Sequence, residues 1–345
     1  MTIRLVQVGM GGWGRNWATN VIQQSENVEL VACVDMDAGM LVRAQQLLNL
    51  SPERYFPTLE SALAAVEADA VLITASLSAH VPIALEALNA GKHVLLEKPF
   101  APTIAEAQQV VKTAAQCNRM LMISQNYRFF PAVRAVKALV REGELGSIGT
   151  VSIDFRRYKN SVLPQDQGYY QGWQPLLVDM AIHHFDLMRF VLGQEASQIS
   201  CQAWNPPWSK FVDPAAAAAT ITFDGGAVVS YRGSWVSPGP KTCWSGEWHM
   251  ECSGGEIVWT SRDETAADRV TIRPLGKRAR SVTLPALAVT DRRGSLEAFV
   301  RAVETGQEPE SSGHDNLHSL ALMYAAVESA SSQGPVSLKV GREGS

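Results

Sequence analysis

Over the first third of the chain, short aliphatic runs alternate with stretches whose apolar residues recur at helical spacing. Residues 3–8 read as a strand, 13–24 as a helix, 28–34 as a second strand and 38–48 as a second helix. Strands at 70–74 and 93–96 flank a helix at 81–89 that Gly91 ends, and a helix at 103–117 leads to a strand at 120–124. Near-continuous apolar strands alternating with helices predict a parallel sheet covered on both faces.

The pattern changes after Tyr127. A helix at 131–142, closed by Gly143 and Gly146, gives way to strands at 149–157, 196–204, 216–223, 227–235 and 244–252. Asp224-Gly225-Gly226 is a hairpin signal between two of them. Composition alone would make Ala215 to Ala219 helical. Its place between Pro214 and the β-prone Thr220-Ile221-Thr222-Phe223 argues for a strand of small residues instead. Further helices are predicted at 176–192 and 315–331. The expected fold is α/β: a doubly wound domain over 1–124, then an α+β domain over 125–345 built on a large, mostly antiparallel open sheet.

Hydrophobic residues make up 46% of the 345 and charged residues 19%, a composition that supports a sizeable core. The net charge of −4, with basic residues only in scattered pairs, gives nothing to neutralise a run of phosphates, so no nucleic-acid partner is expected. No apolar run reaches the roughly 18–20 residues of a membrane span, and the N-terminus lacks a signal-peptide pattern. A soluble protein without a membrane partner is the expectation. The five cysteines are far apart with no C-x-x-C pair, which predicts buried free thiols and a cytoplasmic location.

Gly9-Met10-Gly11-Gly12-Trp13-Gly14 fits G-x-G-x-x-G directly after a strand and before a helix. Gly9 permits the tight turn, Gly11 lets backbone approach a pyrophosphate, and Gly14 lets helix and strand pack closely. The second strand ends at Asp35, about 20 residues beyond Gly14, where a ribose-binding carboxylate belongs. The first domain is therefore expected to be a Rossmann domain. Asp35 would repel a 2′-phosphate, and neither Met36 nor Asp37 supplies an arginine to hold one, so NAD is favoured over NADP.

Two further features bear on chemistry. The strand at 93–96 runs into Glu97-Lys98-Pro99, which delivers Lys98 to the carboxyl edge of the sheet, where ligands bind. Taken alone, Lys98 reads more readily as a solvated strand-end lysine; beside a cofactor, its ammonium could stabilise an alkoxide. On the 176–192 helix, about 100° per residue places Asp179, His183 and Asp186 on one polar stripe and turns His184 into packing. An imidazole there suits proton transfer from an alcohol, with an aspartate to orient it or to bind a neighbouring hydroxyl. Asp179 and His183, joined by His249, could also ligate zinc. Hydride chemistry with a lysine supplying electrostatic stabilisation needs no metal, and none is expected.

Glu97-Lys98-Pro99 after Ala90-Gly91-Lys92-His93-Val94, together with the glycine loop, resembles the Gfo/Idh/MocA oxidoreductases, a family that includes glucose–fructose oxidoreductase and inositol dehydrogenase. Gln125-Asn126-Tyr127-Arg128-Phe129-Phe130-Pro131 and Gly143 to Gly149 look like the family's junction and the start of its second domain. Asp179-Met180-Ala181-Ile182-His183-His184-Phe185-Asp186 is similar to its D-x-x-x-H-x-x-D helix. The resemblance implies Lys98, Asp179 and His183 as the catalytic set, with His183 as general base. It implies a cofactor site of Gly9, Gly11, Gly12, Trp13, Gly14, Asp35, Thr74, Ser76, His80, Glu97 and Lys98, and often a cis bond before the proline that follows the lysine. Two departures stand out: Ala75 and Ser76 replace the usual proline and asparagine, and Gln174-Pro175 replaces a common glycine pair.

Seven of the nine tryptophans (Trp173, Trp204, Trp208, Trp235, Trp244, Trp248 and Trp259) lie in the second domain. Such rings pack on sugar C–H surfaces, with Arg156, Arg157, Tyr158 and Lys159 as donors to hydroxyls, but most of them are expected to fill the sheet core or an oligomer interface. The expectation is an NAD-dependent oxidoreductase of carbohydrate metabolism. It would act on a secondary alcohol of a sugar, sugar derivative or cyclitol and assemble as a homodimer or homotetramer through its C-terminal sheet. Alternatives are an NAD-recycling glycosidase or epimerase-like enzyme working through a transient keto-sugar, and a non-catalytic dinucleotide and sugar sensor.

Overall fold

Six parallel strands form the first sheet: β1 (Ile3–Val8), β2 (Val28–Val34), β3 (Tyr55–Phe56), β4 (Ala70–Ile73), β5 (His93–Glu97) and β6 (Leu121–Ser124). Their spatial order in this computed structural model, which describes residues 2–161, 168 and 170–338, is β3-β2-β1-β4-β5-β6. The order reverses between β1 and β4, and the carboxyl ends flanking such a switch point are where doubly wound sheets bind ligands. Val71, Leu72, Val94, Leu95 and Leu96 are wholly buried, as strands covered on both faces require. The connecting helices are α1 (Gly12–Asn20), α2 (Ala38–Gln45), α3 (Leu59–Ala65), α4 (Leu77–Asn89) and α5 (Ile104–Gln116). The helix predicted over 13–24 breaks at Val21 and continues as a 3-10 turn, Ile22–Gln24.

The chain divides into two compact units, Met1–Asn126 with Val289–Leu317, and Tyr127–Ala288 with His318–Ser345. The return of 289–317 to the first unit differs from the single crossing drawn from sequence. Glu297, on the returned segment, accepts hydrogen bonds from Ser25 and Asn27, and Ser295 meets Ser124 at 3.1 Å. Ser311 also accepts the backbone N–H of Ile123 beside β6.

After α6 (Pro131–Glu142) the second unit carries β7 (Ile148–Arg156), α7 (Ala181–Leu192), β8 (Ala196–Trp204), β9 (Ala216–Phe223) and β10 (Val228–Ser234). It continues with β11 (Glu247–Cys252), β12 (Gly255–Thr260), β13 (Arg269–Pro274) and β14 (Arg280–Ser281). The returned segment then holds α8 (Asp291–Thr305), and α9 (Gly313–Ser332) and β15 (Val336–Ser337) end the described chain. The nine strands run β14-β13-β12-β11-β7-β10-β9-β8-β15; all neighbours are antiparallel except β7 and β10. The alanine run does form a strand: Ala216 to Ala219 pair with β10.

Burial alternates along these strands. On β10, Val229 and Tyr231 are inside while Ser230 and Arg232 are exposed. One face is therefore a core and the other is polar. Trp248 and Trp259 stack in that core with ring centroids 4.6 Å apart, and Trp235 is buried with them; Trp173, Trp204 and Trp208 remain largely exposed. All five cysteines are free, and burial pushes the thiols of Cys33 and Cys201 up to about 12. Among the described residues no helix is long and apolar enough to cross a membrane.

Candidate active site

In the first unit, the loop between β1 and α1 is shaped by its glycines. Gly9 sits at φ +95°, and a Cβ there would lie 2.5 Å from the backbone N of Ala75. A Cβ on Gly14 would lie 1.8 Å from the carbonyl oxygen of Gly9, so only glycine lets α1 start this close to the loop. Around Gly11 and Gly12 the space is open, and no side chain caps the helix N-terminus at Gly11. Free first-turn N–H groups beside open space suit a pyrophosphate. Thr74, just beyond β4, donates to the Gly9 carbonyl at 2.7 Å and accepts from Gln7, whose amide also reaches the Gly14 carbonyl. Thr74 thus braces the loop.

Asp35 lies at the end of β2, half-buried. One carboxylate oxygen accepts the Met10 N–H at 2.7 Å and the other accepts the Asp37 N–H at 2.9 Å. Each oxygen keeps a further lone pair, so a fixed carboxylate with spare acceptor capacity stands where two ribose hydroxyls could donate. These residues fit a dinucleotide. Trp13, half exposed on the first turn of α1, is covered by the Arg292 guanidinium at 4.2 Å, a cation–π contact from the returned segment.

Glu97, the last residue of β5, is buried. It accepts the Trp17 indole N–H at 2.7 Å and the Lys98 backbone N–H at 3.1 Å. Burial raises its pKa against the pull of Lys98 and these donors. It anchors the strand end from which Lys98, half-buried, emerges. The Lys98–Pro99 peptide bond is cis. His80, buried on α4, places its Nδ1 2.9 Å from the Pro99 carbonyl and its Nε2 3.1 Å from that of Ala75. Burial lowers its pKa despite those two carbonyls, and Lys98 adds repulsion. Ser76 is exposed at the N-cap of α4, its hydroxyl 3.3 Å from that of Ser78.

In the second unit, the predicted 176–192 helix opens as a π-turn, Pro175–Met180, before α7. Of the three residues expected on one stripe, Asp179 lies on the π-turn, and His183 and Asp186 lie on α7, which is buried on every side. Asp179 is exposed on the π-turn. His183 is buried, stacked on Tyr127 with ring centroids 4.1 Å apart and planes 3° from parallel. Asp186, 1% exposed, is clasped by Arg128 through Nε at 2.7 Å and Nη2 at 2.6 Å, and accepts from Ser319. A doubly bonded ion pair this deep anchors α7, and removing either partner would strand a buried charge. His184 points into packing as expected. Its ring nitrogens lie 3.1 Å from the Tyr231 hydroxyl and 2.9 Å from the Trp244 carbonyl, and burial pulls its pKa down to about 4.

Sequence reading overlooked the array around Tyr127. Arg262 donates to the Tyr127 hydroxyl at 3.0 Å and lies over its ring at 4.6 Å; the same guanidinium lies 5.6 Å from the Trp244 ring. Arg157 stacks on Trp244 at 4.1 Å, with Lys159 at 5.8 Å. The departure at Gln174-Pro175 has a visible consequence, because Gln174 adopts φ +46°, ψ +55°, a conformation in which glycine is at ease. Asp213 holds it by accepting the Gln174 N–H at 2.9 Å. His249 lies on β11 and pairs with Glu256 at 2.8 Å. Arg156 bonds Glu247 at 2.8 Å, and Tyr158 is exposed.

Comparison with known proteins extends over both units. The model of an oxidoreductase family with an NAD-binding Rossmann fold, Gfo/Idh/MocA, matches residues 3–125, and that of the Gfo/Idh/MocA C-terminal domain matches residues 133–258. The inositol 2-dehydrogenase of Rhizobium meliloti is 26% identical over 98% of this chain and 100% of its own. The D-apiose dehydrogenase of Paraburkholderia graminis is 26% identical over 96% of this chain and 88% of its own. Among solved structures, an oxidoreductase from Agrobacterium radiobacter in complex with NAD+, L-tartaric acid and magnesium superposes with a TM-score of 0.84. Identity is 20%, over 98% of each chain.

Proposed function

Because the chain belongs to the Gfo/Idh/MocA family of oxidoreductases, we propose that it is a dehydrogenase that uses NAD to oxidise a secondary alcohol of a sugar, sugar derivative or cyclitol. Membership makes it an NAD(P)-dependent enzyme acting on CH–OH groups. The substrate class draws on relatives named for inositol and D-apiose. The observation that carries the cofactor half is the open space at Gly11 and Gly12, next to an Asp35 carboxylate fixed by two backbone N–H groups. That carboxylate supports NAD over NADP, since it would repel a 2′-phosphate.

Bound NAD supplies the hydride acceptor. Gly9, Gly11, Gly12, Trp13 and Gly14 receive the phosphates at the α1 N-terminus, and Asp35 accepts from the ribose hydroxyls. Thr74 keeps the loop in place. Ser76 and His80 serve the cofactor from α4, and Glu97 fixes the strand end that carries Lys98. The Lys98 ammonium hydrogen-bonds the substrate hydroxyl oxygen and steadies the alkoxide that develops as hydride leaves. His183 takes the hydroxyl proton as general base, oriented by the Tyr127 ring, and Asp179 binds an adjacent hydroxyl. In the reducing direction the same groups run in reverse.

Self-association through the polar face of the nine-stranded sheet, as homodimer or homotetramer, and residence in the reducing cytoplasm complete the reading; the free thiols support the latter. The test is a panel of monosaccharides, inositols and anhydrosugars, with NADH and NADPH formation followed separately and the mass in solution measured by light scattering. NADH from at least one polyol is expected. NADPH without NADH would overturn the role of Asp35, and turnover with retained NAD and no net NADH would point to a cofactor-recycling activity.

A further inference from the structure

Arg157 directly follows β7, its backbone held by the Ser234 carbonyl and the Ser237 N–H at 2.9 and 3.0 Å. Its side chain is only 6% exposed. Nη1 reaches Glu264 at 3.3 Å, a carboxylate shared with Lys241 at 2.5 Å and the Trp244 indole at 3.1 Å. Nε and Nη2 are sealed from solvent and have no hydrogen-bond partner among the described residues. Those two nitrogens form one edge of the guanidinium, with parallel N–H bonds at the spacing of a carboxylate's oxygens.

Three other arginines show what this chain does with that edge. Arg4 clasps Asp69 through Nε and Nη2 at 3.1 and 2.8 Å, Arg128 clasps Asp186 at 2.7 and 2.6 Å, and Arg189 clasps Glu195 at 2.6 and 2.7 Å. In Arg157 the equivalent edge has no acceptor among the described residues. Buried charged donors without acceptors are costly to keep, and an anion would recover that cost. The position is suggestive too. Arg157 lies on Trp244, Trp244 adjoins Arg262, Arg262 covers Tyr127, and Tyr127 covers His183.

We propose that the Nε–Nη2 edge of Arg157 receives a substrate carboxylate, so that among sugar derivatives the enzyme favours a sugar acid over its neutral counterpart. This rests on the reading that His183 handles a substrate hydroxyl, and it names the group at the far end of the same molecule. Trp244 stacks on the guanidinium, holding its plane, and Lys159 adds positive charge beside the ring.

The test is calorimetric titration of the full chain, with and without NAD+, using glucose, gluconate, glucuronate and glucose 6-phosphate, and galactose with galacturonate. At least one acid is expected to bind about 10- to 100-fold more tightly than its neutral sugar, the range for a bidentate charged pair. Arg157→Lys and Arg157→Gln should erase that difference, with Tm reporting that each variant folds. Equal binding of acids and neutral sugars by the unaltered protein overturns the proposal without recourse to a variant. So does a preference that survives both substitutions, and tighter binding of glucose 6-phosphate than of any acid replaces carboxylate by phosphate. Acid-selective binding with no NADH from any sugar would instead defeat the dehydrogenase reading and leave this site standing.

Discussion

Tyr127 lies flat on His183, 4.1 Å between ring centroids and 3° from parallel, while its hydroxyl accepts from Arg262. A stacked ring on one face fixes the plane in which the imidazole can turn. Tyr127→Leu should therefore lower kcat about 10- to 100-fold with little change in the KM for NAD, because loosened orientation costs rate more than cofactor binding. Tyr127→Phe, which keeps the ring and loses the hydroxyl, should restore most of the rate. Steady-state kinetics of the pair separates stacking from the Arg262 hydrogen bond.

Asp35 carries the cofactor preference. Asp35→Ala removes the ribose acceptor and the partner of the Met10 N–H. The expected result is a KM for NAD raised at least about 10-fold and a narrowed gap to NADP, with circular dichroism unchanged. An unaltered ratio of kcat/KM for the two cofactors would move the discrimination elsewhere.

Acid should act on stability through His184. Its folded-state pKa is about 4, below the ordinary 6.5, because the ring is buried. The unfolded chain takes up this proton near pH 6.5 and the folded chain only near 4. The contribution is thus complete above pH 6.5 and is lost as pH falls toward 4. Between pH 7 and 4.5 the loss is about 2 kcal/mol from this group. Urea titrations at both pH values should show it, and His184→Gln should have a shallower pH dependence than the native chain.

The fold was legible wherever burial imposed a period. The parallel alternation from β1 to β6, the alanine strand β9 and the packing of His184 follow from apolar spacing and local turn chemistry. The return of residues 289–317 to the first unit was not, because its determinants are single long-range contacts such as Glu297 with Ser25. The site divides in the same way. The glycine loop and Asp35 have a fixed spacing that sequence displays. The stack of His183, Tyr127, Arg262, Trp244 and Arg157 gathers residues from α7, the turn before α6 and segments next to β7, β11 and β12, far apart in the chain, and no spacing announces it. The π-turn that opens the 176–192 helix is invisible to a fixed 100° step.

That π-turn begins at a left-handed glutamine. Gln174→Gly should relieve the backbone and raise stability by up to about 1 kcal/mol, offset in part by glycine's greater unfolded-state entropy. Gln174→Val should cost more than that, since a β-branched residue tolerates φ +46° poorly. Paired denaturant midpoints decide the order.

The most direct test of the whole account is the rate of NADH formation, with a substrate found in the panel, by Lys98→Ala and His183→Asn, each shown by titration to bind NAD normally. Losses of roughly 100- to 10,000-fold in kcat for both are predicted, the scale of general acid–base and electrostatic catalysis. Near-normal NADH formation by either variant would contradict it.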